Sequence, residues 1–239
     1  MNAVRPEDLQ AQYYARTAAA YDAMHGGDDE HTRALRLMSS MIRERGLTSI
    51  LDVGCGTGRG VKHFLAEHPG MKVRGVEPVA ELRQQGIAAG IPEECLLDGS
   101  GEALPFPDGS FDAVCELGML HHVRHPARVV AEMLRVARRA IFISDSNRFG
   151  QGRLAARWLK VAIHKARLWP VADFVRTRGR GYHVSEGDGI SYSYSVYDNY
   201  AQIAAWAKQI ILVPSFEHDT RSWFAPLVTS GHVVLCAFR

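Results

Sequence analysis

The 239-residue chain holds no apolar run approaching the roughly 18 residues that a membrane span needs. Its start, Met1 to Gln10, has no apolar stretch of the kind a secretory leader carries. Cysteine is scarce. Cys55, Cys95, Cys115 and Cys236 are widely spaced and form no CxxC pair, which argues against a zinc site and against a disulfide framework. An excess of one charge is missing too: 28 Lys+Arg stand against 26 Asp+Glu, a net charge of +2. That balance excludes a chain that is basic throughout and speaks against a disordered tail. No internal repeat or low-complexity tract is visible. What is left is an ordinary globular composition, 46% hydrophobic and 23% charged, long enough to bury a core without staples. Together these absences predict a cytoplasmic, reduced, soluble protein.

What is present is an alternation of short β-rich runs with helical stretches. Strands are expected at Ser49–Val53, Lys72–Val76, Cys95–Leu97, Phe111–Cys115 and Ala140–Ser144, with helices at Val61–Glu67, Val79–Ala89 and Pro126–Arg138 between them. Such alternation implies a parallel sheet covered on both faces, and right-handed crossovers make it doubly wound. Two further strands, Ile210–Phe216 and His232–Phe238, have no room for a helix between them and predict an antiparallel hairpin at one sheet edge. Ahead of the sheet, residues 1–46 read as helices at 9–23 and 31–45, broken at Gly26-Gly27. After the fifth strand comes a long interruption, residues 146–196. In it Leu154–Trp169 reads as a helix stopped by Pro170, and Arg178–Gly189 as a loop. A last helix is expected from Tyr197 to Lys208.

The most informative segment is Leu51-Asp52-Val53-Gly54-Cys55-Gly56-Thr57-Gly58-Arg59-Gly60. A strand runs into a glycine turn and then a helix, an arrangement that brings backbone N–H groups close to a nucleotide-like ligand. A dinucleotide fingerprint, G-x-G-x-x-G, fails in both registers because its third glycine falls on Arg59 or Val61. No Gly-Lys-Ser/Thr follows, so a phosphate-binding P-loop fails as well. The pattern present is D-x-G-x-G-x-G.

That pattern resembles the first motif of the class I, Rossmann-like S-adenosylmethionine-dependent methyltransferases. Three more stretches agree in order: Gly75-Val76-Glu77-Pro78; the run Gly101-Glu102-Ala103-Leu104-Pro105-Phe106-Pro107-Asp108-Gly109-Ser110-Phe111-Asp112; and the turn Leu120-His121-His122-Val123. The resemblance covers residues 45–145 and implies a seven-stranded, mostly parallel α/β sheet of order 3-2-1-4-5-7-6 with an antiparallel C-terminal strand. It implies S-adenosylmethionine as cofactor, with Asp52, Gly54, Cys55, Gly56 and Gly58 around its amino-acid part. Glu77 and Pro78 stand at its ribose, where a carboxylate accepts from two hydroxyls. Ser100, Gly101 and Glu102 fall at its adenine; relatives usually carry Asp where this chain has Ser100. Tyr21, in a segment that resembles the family's lid helix, and Glu116, after the fourth strand, complete the expected cofactor set. The chain is read as one methyltransferase domain: lid helices 1–46, cofactor core 47–145, substrate cap 146–196, and a C-terminal helix and strands 197–239.

Methyl transfer needs a nucleophile held near the methyl carbon, and a base where that nucleophile must lose a proton. His121 and His122 are the candidates, since histidine titrates near neutral pH; the alternative is that they cap the turn or line the pocket. His121 and His125 have i, i+4 spacing, but no Glu lies between them and no third ligand is evident, so no metal is expected.

The insert hides a charge asymmetry. Residues 148–183 hold nine Lys+Arg and one acid, a balance of +8, which leaves −6 to the rest of the chain. The stretch 153–169 is a basic amphipathic helix, with Leu154, Trp158, Val161 and Lys165 on one stripe. Three roles are open for it: a solvated basic face, an attractor of anionic substrates, or a contact with a membrane surface or nucleic acid. Tyr192 and Tyr194 alternate with serines and so face one way, as a wall for an acceptor or as core. The predicted activity is O- or C-methylation of a small, anionic or aromatic metabolite. An RNA methyltransferase is disfavoured by the lack of an appended RNA-binding module or an Asn-Pro-Pro-Tyr-like motif. A cofactor-binding protein without turnover is the remaining reading. Oligomeric state is not encoded in any motif.

Overall fold

The computed structural model describes residues 6–25, 29–185, 187–215 and 222–239. The break expected at Gly26-Gly27 and the end of the strand expected at Phe216 lie outside them. The apolar run Ser49–Val53 forms β1, buried along its whole length, as a strand covered on both faces must be. Parallel to it run β2 (Lys72–Val76), β3 (Leu96–Leu97), β4 (Phe111–Leu117) and β5 (Ala137–Ser146). After a small antiparallel hairpin of β6 (His183–Ser185) and β7 (Gly189–Ser191), the chain returns to the sheet as β8 (Gln209–Pro214) and β9 (His232–Phe238). The sheet order is β3-β2-β1-β4-β5-β9-β8. Counting its own seven strands, this is 3-2-1-4-5-7-6. β9 inserts between β5 and β8 and is antiparallel to both.

Helices cover both faces. On one, α3 (Asp29–Arg45) buries Ala34, Leu35, Met38 and Ile42 and α4 (Arg59–Glu67) buries Val61 and Phe64, in one cluster with Phe142 and Phe238. On the other, α6 (Pro126–Val136) buries Val129, Val130, Met133 and Val136, and α9 (Tyr200–Trp206) adds Ile203. The helix expected to reach Arg138 stops at Val136, because β5 starts directly behind it to pair with Phe111. Towards the N-terminus, α1 (Pro6–Thr17) and α2 (Tyr21–His25), joined by a single 3₁₀ turn, lie against α5 (Ala80–Ala88). Ala18 meets Val79 and Leu82 there, flanked by Tyr14 and Tyr21.

The insert departs from expectation at two points. Pro170 begins a helix and does not end one. α7 runs from Leu154 to Lys165, Arg167 turns the chain with a left-handed φ of 59°, and α8 (Trp169–Arg176) starts with Pro170 in its first turn. A proline there loses no helical hydrogen bond and brings its φ preset. The segment read as a loop, 178–189, contains β6 and the start of β7. The insert is anchored where it leaves β5. The buried Asn147 donates from its amide to Leu227 O and Ser230 O, at 2.7 and 2.8 Å. Its Oδ1 accepts from Phe149 N and Ser195 Oγ. Beside it the buried Arg148 forks onto both carboxylate oxygens of Asp198 at 2.5 Å each and lies over the Phe149 and Trp169 rings.

Candidate active site

Gly54 N and Cys55 N both donate to Val76 O, at 2.8 and 3.1 Å, and this pins the glycine turn to the end of β2. Gly54 and Gly56 have φ of 69° and 57°, a region that side-chain-bearing residues avoid. A Cβ on Gly54 would stand 2.4 Å from Met119 Cγ, so the approach of the His121 turn also requires glycine here. Glu77, at the end of β2, is buried. One of its oxygens accepts from Gly56 N and the other from Val79 N, both at 3.0 Å. Burial raises its pKa while those N–H donors oppose the rise. Each oxygen keeps a further acceptor position.

A cavity of about 300 Å³ opens above this turn, bounded by Asp52, Gly54 and Cys55 on one side, Tyr14 and Tyr21 of the lid on another, and His121, His122 and Asp188 opposite. Asp52 is buried, and its Oδ2 has no hydrogen-bond partner among the described residues. Burial pushes its pKa up to about 7. Tyr21 meets Gly56, whose Cβ would lie 3.6 Å from the phenol oxygen.

His121 is the most constrained group in the cavity. Its Nδ1 stands 2.7 Å from Asp145 Oδ1, and its backbone N–H donates to Asp145 Oδ2. Asp145 is fully buried at the end of β5. The other ring nitrogen, Nε2, stands 3.5 Å from Asp188 Oδ2. Burial alone would lower the imidazole's pKa, but the Asp145 and Asp188 carboxylates outweigh it and raise it to about 10. Burial likewise opposes the charge on Asp145, yet His121 holds its pKa down, at about 2. In the resting protein His121 is therefore an imidazolium, the conjugate acid of the base expected from sequence. His122 donates from Nδ1 to Ile190 O at 2.6 Å and turns Nε2 toward Asp188 Oδ1, 3.3 Å away. Burial raises the Asp188 pKa, but the two imidazoles outweigh it and hold that pKa well below the carboxylate range.

Lid, turn and cap are tied together at this point. Gln10 of α1 donates to Asp188 O and accepts from Ile190 N, and Tyr192 N donates to His121 O at 2.7 Å. The ligand atoms of His121, His122 and Asp188 lie within 4.8 Å of one another, close enough to share a cation. The third group is Asp188, from the cap, while His125 belongs to another cavity.

Several expected residues stand elsewhere. Gly58 (φ 84°) does not line the cavity; a Cβ there would press on Ile91 Cδ1, so glycine serves the packing behind the turn. Pro78 is exposed. Ser100 is exposed too, and its hydroxyl accepts from Glu102 N. Gly101 runs beside Val53, outside the cavity wall. Glu116 is fully buried and accepts from Met119 N at 2.9 Å; its Oε1 has no partner among the described residues. Burial, reinforced by Asp145, pushes its pKa well up. Tyr192, Ser193 and Tyr194 all line a second cavity of about 390 Å³ with Trp169 and Tyr182, while Tyr194 is buried in the core and its hydroxyl donates to Asn199 Oδ1. Asp145 and Asp188 were missed. Asp145 had a signal, an acid ending the apolar run AIFIS; Asp188 had none.

Residues 51–142 match the family model described as a methyltransferase domain. The chain is 35% identical over 94 residues to norajmaline N-methyltransferase of Rauvolfia serpentina, covering 37% of this chain and 32% of that protein. It is 31% identical over 150 residues to demethylmenaquinone methyltransferase of Roseiflexus castenholzii, covering 57% and 60%. The matched part thus spans about a third of most of these curated relatives, and three-fifths of the last. Among solved structures, magnesium protoporphyrin IX methyltransferase from Synechocystis with bound SAH shares the fold over 98% of this chain and 99% of that one, with a TM-score of 0.60 and 12% identity. A possible histamine N-methyltransferase from Thermotoga maritima does so over 95% and 98%, with a TM-score of 0.57 and 16% identity. Among the described residues no helix is long and apolar enough to cross a membrane. Glycine turn, Glu77, sheet order and family match agree: the chain carries a methyltransferase domain of the class I, S-adenosylmethionine-dependent family.

Proposed function

We propose that the protein transfers a methyl group from S-adenosylmethionine to a small organic acceptor with an acidic O–H, such as an acidic phenol, enol or carboxylic acid, held as its oxyanion by His121. The residues fit the cofactor. The partnerless buried oxygen of Asp52 and the carboxylate of Asp188 suit a ligand that carries an ammonium and a sulfonium. Gly56, which has no Cβ, leaves room beside the Tyr21 ring behind the cavity wall, and Glu77 has acceptor capacity left for hydroxyls. When bound, the cofactor supplies an electrophilic methyl carbon for in-line displacement.

The observation that carries the reading is the locked orientation of His121, with Nδ1 on buried Asp145 and Nε2 toward the cavity that the glycine turn also lines. When one proton is shared between an acceptor oxygen and an imidazole, it rests on the stronger base. Asp145 makes His121 that base and keeps it protonated, so an acceptor that has released its own proton to solvent binds as the oxyanion, and Nε2–H orients it. An enolate held this way also offers its carbon. The family relatives named for norajmaline and demethylmenaquinone support a small acceptor.

Calorimetry with S-adenosylmethionine tests the cofactor half. Wild type binds, and Gly56→Arg, whose side chain would press on Tyr21 of the cavity wall and strain the glycine turn, does not; a wild type that fails to bind overturns the reading. Labelled cofactor with a cell extract tests the acceptor half. Label is expected in the small-molecule fraction. Label in nuclease-sensitive RNA replaces the acceptor class, and cofactor binding with no transfer to any fraction reduces the protein to a binding protein. With the acceptor in hand, His121→Ala loses about 10²–10³ in rate, the range of one hydrogen-bond donor positioned on an oxyanion, with cofactor affinity kept.

A further inference from the structure

The insert is amphipathic in the reverse sense to an ordinary surface helix. α7 turns Arg157 and Lys160 inward, while Lys165 at its end stays exposed. Arg157 donates to Gly152 O at 2.7 Å and Val228 O at 2.9 Å; Lys160 donates to Arg148 O at 2.8 Å and Gln151 O at 3.0 Å. His164, one turn on, packs on Phe149. With those two cations on the packed face, the apolar residues face out. Leu154, Trp158 and Leu159 of α7, Leu168 in the turn, and Val171, Phe174 and Val175 of α8 are each between 40% and 71% exposed. Neither helix buries a single residue. The apolar surface continues into Phe224, 5.2 Å from Trp158, and Trp223, which is 91% exposed. Contiguous apolar surface on this scale marks an interaction site.

Exposed cations surround it: Arg153, Lys165, Arg167, Arg178 and Arg180. Apolar and aromatic side chains with a basic surround, on a pair of helices too short to span a bilayer, have the composition of a helix that lies in a membrane interface. Charge also argues against a second copy of the chain. A two-fold contact would set this basic surround against itself, whereas an anionic surface neutralises it. We propose that α7 and α8, with Trp223, dock the protein on an anionic lipid bilayer.

Flotation with lipid vesicles tests this without any measurement of activity, so its outcome is independent of the methyl-transfer reading. Full-length protein is expected to float with vesicles of phosphatidylcholine mixed with phosphatidylglycerol and to stay at the bottom with phosphatidylcholine alone. Raising salt to about 0.5 M weakens binding several-fold. Phe174→Ser with Val175→Ser lowers partitioning by about tenfold or more, by removing buried apolar area, and Arg178→Glu with Arg180→Glu lowers it by a similar factor. Both pairs are exposed, and circular dichroism together with retained S-adenosylmethionine binding verifies that the variants fold. Folded wild type that does not float overturns the proposal. Flotation unchanged by the Phe174/Val175 pair overturns the apolar part of it. A wild-type dimer by light scattering that the same pair dissolves, with no flotation, assigns the surface to a second copy instead.

Discussion

The cofactor-binding sheet and the inserted cap solve opposite problems with similar residues. In the sheet, apolar side chains point in, and β1, β4 and β9 are buried almost throughout. In α7 Arg157 and Lys160 point in, toward backbone carbonyls, and leucine, tryptophan and phenylalanine of the two cap helices point out. A hydrophobic face therefore reveals where a helix's partner is, not where the protein's own core is. In α3 and α6 the partner is the sheet; in α7 and α8, apart from Phe224 against Trp158, most of that face lies open among the described residues.

Stability measurements sharpen that contrast. Phe142→Ala, in the middle of β5 with no exposed surface, is expected to cost about 3–5 kcal/mol in chemical unfolding, through lost burial and the cavity left behind. Phe174→Ala on α8, the same chemical change, should stay within about 0.5 kcal/mol of wild type. Equal costs would mean that the cap helices pack as a core.

Between these extremes lies the joint of the two regions. Asn147→Ala leaves two buried carbonyls, a buried N–H and Ser195 without their partner. A loss of about 2–3 kcal/mol is expected, with early protease cleavage in 148–196 that wild type resists. Cleavage no faster than wild type would show that the joint does not hold the cap.

A pH-dependent effect separates His121 from its surroundings. Its folded pKa, about 10, lies above the unfolded value of about 6.5. The stabilisation is complete below pH 6.5 and is lost as pH rises through 10. Asp145, held at about 2 against about 3.9 unfolded, adds stability that is present above pH 4 and lost as pH falls through 2. Melting temperatures from pH 6.5 to 10 should therefore decline more steeply for wild type than for His121→Gln. Parallel curves would mean that the imidazole is not held charged.

Much of this architecture was legible in the sequence, where local pattern and global fold coincide. SILDV and HVVLCAF are buried along their whole length and KVRGV at its apolar positions, and D-x-G-x-G-x-G needs its glycines for the backbone it adopts. Sequence fell short wherever a partner is distant. Pro170 reads as a stop or as a start depending on whether a second helix follows. The acid that completes the His121–His122 pair arrives 66 residues later, on a hairpin hidden in a glycine-rich stretch. The direction of the α7 faces depends on carbonyls near residues 148–152 and at Val228, which helical periodicity does not encode.

Gln10 gives the site a kinetic character. One side-chain amide holds the lid helix to the cap hairpin at Asp188 and Ile190, and the hairpin in turn holds the turn that bears His121. On the proposed reading, methyl donor and acceptor share a cavity whose walls this one amide ties together. Gln10→Ala is then expected to loosen this tie and speed exchange of bound S-adenosylmethionine; exchange no faster than wild type would show that the amide holds nothing back.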